Sequence, residues 1–344
     1  MKLINTVDAA GHVLCHDITQ IIPGEKKGPV FRKGHIVREE DIPVLLSVGK
    51  EHLYVWEKQE GILHEDEAAA VLKEICIGDS SGFEASEPVE GKISLRAAVD
   101  GLLKVDSKRL NKVNALGEMM IASVQGNFPV KKGDQIAATR IIPLVIEEEK
   151  LLKAREAAGT EPLFRILPVK SVKAGLITTG NEVYQGRIKD AFGPVLKDKL
   201  AEYAGKITEQ VILPDDRGRI TGEILRLADT GAEMILVSGG MSVDPDDKTP
   251  AAIRDSGAEI ITYGAPVLPG AMFLIAYLDR GGKTIPVLGL PGCIMYAKRT
   301  VFDLMLPRIL AGERITAEAV SSLGEGGLCL GCRKCTFPHC GFGR

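Results

Sequence analysis

The chain has 344 residues, 45% hydrophobic and 26% charged, which suits two or three globular domains with a sizeable buried core. Its 43 Lys and Arg against 46 Asp and Glu give a net charge of −3; with no long basic run, this argues against a nucleic-acid partner. The opening MKLINTVDAAGHVL lacks the apolar core of a secretion signal, and no stretch reaches the ~18 uncharged apolar residues of a membrane span. A soluble, cytoplasmic protein without a membrane partner is expected.

Residues 1–60 are expected to form an N-terminal α+β segment. Ile42, Leu45, Leu46 and Val48 predict a short helix within Glu39–Val48, Gly49 ends it, and Leu53, Val55 and Trp56 predict a strand. Residues 61–170 read as a β-rich domain with flanking helices. A helix over His64–Cys76 comes first. ISLRAAVDGLLKVD, EMMIASVQGNF and DQIAATRIIPLVI then follow, punctuated by turns at Asp100-Gly101, Gly126-Asn127 and Lys132-Gly133, which fits a small barrel or sandwich. The charged, Ala-rich EEEKLLKAREAAGT predicts a helix with a solvated face.

From Val172 strands and helices alternate. Strands are predicted at VKAGLITTG, KITEQVIL, EMILVSGG, AEIITYG, MFLIAYL and TIPVLGLPG, and helices at Pro194–Ala204, Ile220–Ala228, Thr249–Ser256 and Ile294–Leu310. This predicts an α/β, Rossmann-like, mainly parallel sheet with helices on both faces, over residues 171–313. Residues 314–344 are a Cys-rich tail with too few apolar residues for a core of its own.

Ligands of such sheets bind outside the carboxyl ends of the strands. Polar, Gly-rich segments stand at those ends: Thr178-Thr179-Gly180-Asn181-Glu182, Pro214-Asp215-Asp216, Ser238-Gly239-Gly240-Met241-Ser242-Val243-Asp244-Pro245-Asp246-Asp247 and Leu290-Pro291-Gly292-Cys293. Gly239 and Gly240 permit positive φ and close backbone approach to an anion, and the helix after Thr249 adds free N–H groups for a phosphate. Glu182, Asp215, Asp216, Asp244, Asp246 and Asp247 are hard oxygen donors suited to Mg2+. Each acid alone serves equally well as a helix cap or solvated loop residue, Asp215 above all.

Seven cysteines are present. Cys15, Cys76 and Cys293 are isolated, whereas Cys329, Cys332, Cys335 and Cys340 form C-x2-C-x2-C-x4-C. That spacing suits one Zn2+ or part of an iron–sulfur cluster, with an unligated tail as the alternative. Arg333 and Lys334 between the thiols favour thiolates. His12, His16, His35, His52 and His64 follow no metal-ligand spacing.

TTGNEV, the Pro-Asp-Asp after the second strand, SGGMSVDPDD and LPG, in this order, resemble the molybdopterin-binding domain of molybdenum-cofactor biosynthesis proteins, over Val172 to Gly312. That domain occurs in molybdopterin adenylyltransferases, molybdopterin molybdotransferases and gephyrin. FRKGHIVREEDIPVLLSVGKEHLYV also looks like the molybdotransferase stretch before the binding domain. The resemblance implies binding of molybdopterin or its adenylylated form, with molybdate and Mg2+, and molybdate insertion with release of AMP. Carried over by position, Glu182, Asp216 and Asp247 act catalytically on metal or molybdate, with Asp215 and Asp246 as further metal ligands. Thr179, Gly180, Asn181, Ser238, Gly239, Gly240, Ser242, Pro291 and Gly292 line the cofactor pocket. Cys293 is either a small buried hydrophobe or a thiol facing the dithiolene.

Three features depart from the molybdotransferase pattern. The late Pro-Gly segment Val267–Met272 carries no lysine, the Pro-Gly-Asn-Pro turn is replaced by Pro291-Gly292-Cys293-Ile294, and no Asp-Gly-Tyr-Ala segment is found. A molybdotransferase-like enzyme is therefore expected alongside a non-catalytic carrier or insertion chaperone, whose tail docks on a molybdoenzyme or another cofactor-biosynthesis protein. A nucleotide pyrophosphatase of the competence-damage type is a third reading. The family resemblance also implies a homodimer.

Overall fold

The computed structural model describes residues 2–22, 26–55, 60–242, 244 and 247–343. Asp246, an expected metal ligand, and Trp56, expected in a strand, lie outside the described residues. The chain forms two compact units. One comprises Met1–Ala98, Val105–Val124 and Lys132–Arg165, the other Val99–Lys104, Gln125–Lys131 and Ile166–Arg344.

In the first unit, strand Lys2–Asn5 pairs with His52–Val55, and Ile18–Ile22 pairs with Lys26–Phe31, both antiparallel. The predicted helix starts as a 3-10 turn at Glu39–Asp41 and continues as Ile42–Ser47, with Gly49 at φ 77 beyond it. Leu14, Ile18, Val37, Leu45 and Leu53 form a small core around it. A four-stranded antiparallel sheet follows, in the order Phe83–Ala85, Lys92–Ala97, Gln135–Ile141, Met119–Ser123. Helix Glu65–Ile77 is closed at its start by His64, whose ring accepts from Asp66 N while Glu67 accepts from His64 N. Sequence patterning missed helix Ser107–Asn114, whose polar composition hides Leu110 and Val113 on one buried face. Helix Glu148–Ala158 is not merely solvated: Leu151, Ala154 and Ala158 are buried, so charge on one face masked an apolar stripe on the other.

The second unit is built on a six-stranded sheet. Its strands are β1 (Lys173–Thr179), β2 (Lys206–Leu213), β3 (Met234–Ser238), β4 (Glu259–Tyr263), β5 (Leu274–Arg280) and β6 (Lys283–Leu290), in the spatial order β2-β1-β3-β6-β5-β4. The four strands β2, β1, β3 and β6 run parallel; β5 is antiparallel to both its neighbours. Helices α1 (Phe192–Ala201), α2 (Arg217–Asp229), α3 (Thr249–Asp255) and α4 (Val301–Leu310) cover the sheet. β1 and β3 are buried almost throughout, and their side chains feed two apolar clusters, one on each face. This is the Rossmann-like, mainly parallel α/β architecture expected from the alternation.

Two expectations change. The last helix begins at Val301 rather than Ile294, because residues 292–295 form a 3-10 turn and Thr300 caps α4 by accepting from Phe302 N. The Cys-rich tail lacks a core of its own but joins that of the domain: Phe342 is buried among α4 residues, and Phe337 stacks edge-on against Phe128. Among the described residues no helix is long and apolar enough to cross a membrane.

Candidate functional site

The parallel strands end in register. Thr179 of β1 lies opposite Leu213 of β2, Thr178 opposite Ser238 of β3, and Ser238 opposite Leu290 of β6. The loops Pro214–Asp216, Gly180–Glu182, Gly239–Ser242 and Pro291–Cys293 therefore stand side by side along one edge. The chain passes from β1 outward to β2 and then back across β1 to β3, so the crevice between β1 and β3 is a topological switch point. Open α/β sheets bind ligands there, because the two loops diverge and leave backbone groups unpaired.

At this crevice Gly239 leaves β3 with φ +89 and passes so close to Thr179 that a Cβ would collide with the Thr179 carbonyl and lie 2.7 Å from its hydroxyl. Gly240 follows at φ +57, where a Cβ would lie 2.9 Å from Thr249 Oγ1. No side-chain-bearing residue fits this path without strain. Thr249 holds the turn by donating to Gly239 O at 2.8 Å, and Tyr263 donates to Met241 O at 2.8 Å. Met241 is buried beneath the loop, its thioether in the space left by Gly289 of β6, whose Cβ would lie 2.7 Å from the sulfur. Ser238 is fully buried at the strand end. Two polar atoms here are buried without a hydrogen-bond partner: Thr179 Oγ1 and Asp247 Oδ2. Buried oxygens carry a penalty unless something bonds them.

The other expected residues take distinct roles. Asn181 and Asp215 tie the exits of β1 and β2 together: Asn181 N donates to the Asp215 carboxylate at 3.0 Å, and Asp215 N donates to Asn181 Oδ1 at 3.4 Å. Asp216, not Asp215, caps α2, accepting from Arg219 N at 2.8 Å. Glu182 is exposed, and its carboxylate folds back over Gly180, 3.0 Å from where a Cβ there would sit. Ser242 and Asp244 are exposed, Pro291 is buried and Gly292 exposed. Cys293 is half-buried, and burial pushes its thiol pKa up, which suits a neutral thiol. Among the described residues no three His, Cys, Asp or Glu groups gather at metal-ligand spacing. α3 is only seven residues long and has Pro250 at its start, so the anion cradle rests on the glycine turn rather than on a helix end.

Thr249, Tyr263 and Gly289 were missed as site-building residues. A glycine inside an apolar strand was the available signal for Gly289, since it marks a close approach. Tyr263 gave none, because its contact joins the end of β4 to a loop 21 residues earlier.

Residues 175–311 match the family described as "Probable molybdopterin binding domain". This segment is a molybdopterin-binding-family domain. Residues 3–57 match a separate family, a domain of unknown function (DUF8806). The stretch Phe31–Val55, which resembled a molybdotransferase segment, lies within that match and takes no function from it. The CinA-like protein of Mycobacterium avium (strain 104) is 36% identical over 96 residues, 28% of this chain and 22% of that protein. The CinA-like protein of Mycobacterium leprae (strain TN) is 36% identical over 81 residues, 24% of this chain and 19% of that protein. The chain thus spans about a fifth of the length of these curated relatives. Among solved structures, the tungsten cofactor synthesizing protein MoaB from Pyrococcus furiosus aligns with 18% identity and a TM-score of 0.35, over 42% of this chain and 99% of that one. The CinA protein of unknown function from Thermoplasma acidophilum aligns with 18% identity and a TM-score of 0.30, over 39% and 96%.

Proposed function

We propose that the molybdopterin-binding-family domain binds molybdopterin at the β1/β3 crevice and serves molybdenum-cofactor biosynthesis. The close approach of Gly239 to Thr179 carries this reading. It leaves a side-chain-free path at the switch point, beside two buried oxygens that lack partners. The residues fit the group: the turn Ser238–Gly240 would take its phosphate through backbone N–H groups, while Thr179 and Asp247 would bond its polar atoms. Asn181, Ser242, Pro291 and Gly292 would border it. When bound, the cofactor supplies the dithiolene that receives molybdate; the chain supplies position and charge.

A molybdotransferase places Glu182, Asp216 and Asp247 at the reacting end, with Mg2+ held by Asp215 and Asp246. A carrier or insertion chaperone, which binds without turnover, is favoured by two observations. Asp216 is engaged as a helix cap, and the Pro269-Gly270 turn at the same edge continues into Ala271 and Met272 without a cation. Incubation with adenylylated molybdopterin, Mg2+ and molybdate separates the readings. AMP release that falls in Glu182→Ala and Asp247→Ala supports the transferase; saturable binding without AMP release supports the carrier. No binding of either pterin form rejects both, and hydrolysis of other nucleotide pyrophosphates in that case points to the third reading.

A further inference from the structure

The Cys-rich tail is seated at the same edge of the sheet. Leu268 lies beside Leu328 in a parallel bridge, with Leu268 N donating to Gly327 O and Cys329 N to Leu268 O, both at 2.8 Å. β5 begins at Leu274, paired with Gly289 near the carboxyl end of β6, so the preceding turn at Pro269-Gly270 belongs to the carboxyl edge. A glycine at each end of the segment seats the backbone where no side chain fits. A Cβ on Gly327 would lie 2.5 Å from Leu323 O, and one on Gly343 would lie 3.1 Å from a Leu304 methyl and closer still to its twin. Phe342 is buried in the domain core, and Gly343 N donates to Gly326 O at 2.9 Å, closing the tail on itself.

Between these anchors the tail and the loop after β6 enclose a cavity of about 530 Å3, and all four tail thiols, Cys329, Cys332, Cys335 and Cys340, line it. Residues 329–336 belong to no helix or strand, and Cys332 and Cys335 are exposed. The opposite wall carries Lys298 and Arg299. Lys298 donates to Arg333 O at 3.1 Å, and the Arg299 guanidinium lies 5.0 Å from the centre of the Phe337 ring.

We propose that the four tail cysteines form a thiolate-ligated metal centre, fixed by the docked tail against the loop that follows β6. Four thiolates around one dication leave a net double negative charge, which Lys298 and Arg333 offset. The entropy of ordering the segment is largely met by the anchors at Gly327 and Phe342, so only the short span between them must close on the ion. The thiols are not at ligand spacing among the described residues, so binding draws Cys332 and Cys335 inward. The centre depends on the tail alone and stands whether or not the crevice binds molybdopterin.

The test is elemental analysis of the full chain purified anaerobically, with thiols titrated before and after denaturation. The expected result is about one zinc per chain, or iron with acid-labile sulfide, falling at least about tenfold in Cys332→Ser/Cys335→Ser. Zinc identifies a mononuclear site and iron with sulfide a cluster; either supports the proposal. Hydrogen exchange supplies a second reading independent of the variant's folding. Chelation of the wild-type chain should speed exchange in residues 296–299 and 329–340 while β1 and β3 stay protected. Neither metal above background, with all four thiols titrating freely in the folded chain, overturns the proposal; so does bound metal that persists in the double variant.

Discussion

Replacing Gly239 with alanine places a methyl group where the Thr179 carbonyl already lies, and 2.7 Å from the Thr179 hydroxyl, at a backbone φ of +89. The conformation itself costs about 1–3 kcal/mol for a residue with a side chain. Displacing the end of β1 adds an over-packing cost of about 1–3 kcal/mol. At roughly 2–4 °C per kcal/mol for a unit of this size, a total of about 2–6 kcal/mol lowers its melting temperature by about 4–24 °C. Gly231→Ala is the matched control: it has φ +96 with nothing within 4 Å of the new methyl, so only the conformational part applies. Molybdopterin affinity, measured by calorimetry below the melting range of each variant, should fall at least about tenfold, or about 1.4 kcal/mol, in Gly239→Ala and stay unchanged in Gly231→Ala. If Gly239→Ala melts with Gly231→Ala and binds as the wild type does, the close approach at the crevice is not what forms the site.

Three further outcomes are expected. Burial, reinforced by the neighbouring Asp66 and Glu90 against the opposing Arg140 and Lys33, raises the Glu65 carboxyl from 4.5 to about 7. The folded state holds that proton where the unfolded chain has released it, so this contribution is full below pH 4.5, lost as pH rises to about 7, and amounts to about 3 kcal/mol. Glu65→Gln should flatten the stability profile across that window in urea titrations; an unchanged slope would exclude Glu65 as its source. Asp303 pairs with Lys199 at 2.7 and 2.8 Å in the interior and also accepts from Arg299 and Thr300. Asp303→Ala leaves a buried ammonium and should cost about 3–5 kcal/mol, whereas Lys199→Met leaves Asp303 partnered and should cost less; equal urea midpoints for the two variants would contradict this. Truncation after Leu323 removes Phe342 from the core, a loss of about 3–5 kcal/mol for one aromatic, so the melting temperature should fall by about 6–20 °C. An unchanged value would mean that the tail is not docked.

The α/β domain was legible because its central strands are short apolar runs whose exits carry glycine and acid. KITEQVIL was read to its full bounds, and the Ser-Gly-Gly turn stands at the strand end where its glycines predicted it. The carboxyl edge followed from order alone, since parallel strands all release their loops on one side. Which acid does what was not legible. Asp215 and Asp216 are adjacent and chemically alike, and only the geometry of α2 makes one the cap and the other the partner of Asn181. Helix Ser107–Asn114 was hidden because six of its eight residues, all but Leu110 and Val113, are polar, while burial is decided by the face those two share. The tail was misjudged for a related reason: few apolar residues cannot make a core, but Phe337 and Phe342 can complete one built by other elements.

The central strands are apolar on both faces: Leu176 and Leu236 point into one cluster, Ile177 and Val237 into the other. Alternation of polarity therefore does nothing to fix how β1, β3 and β6 slide past one another, unlike a half-exposed sheet, in which a slip buries charge. The lock lies in the glycines. Gly175 leaves room for Leu227, its absent Cβ 2.9 Å from a Leu227 methyl, and Gly289 leaves room for Met241. A slip of one residue turns each notch to the opposite face and shifts a strand end by about 3.3 Å, carrying Gly239 out of reach of Thr179. Misaligned sheets would thus be nearly as greasy as the native one yet would lack the crevice, so ligand capture is itself a readout of correct strand alignment during folding.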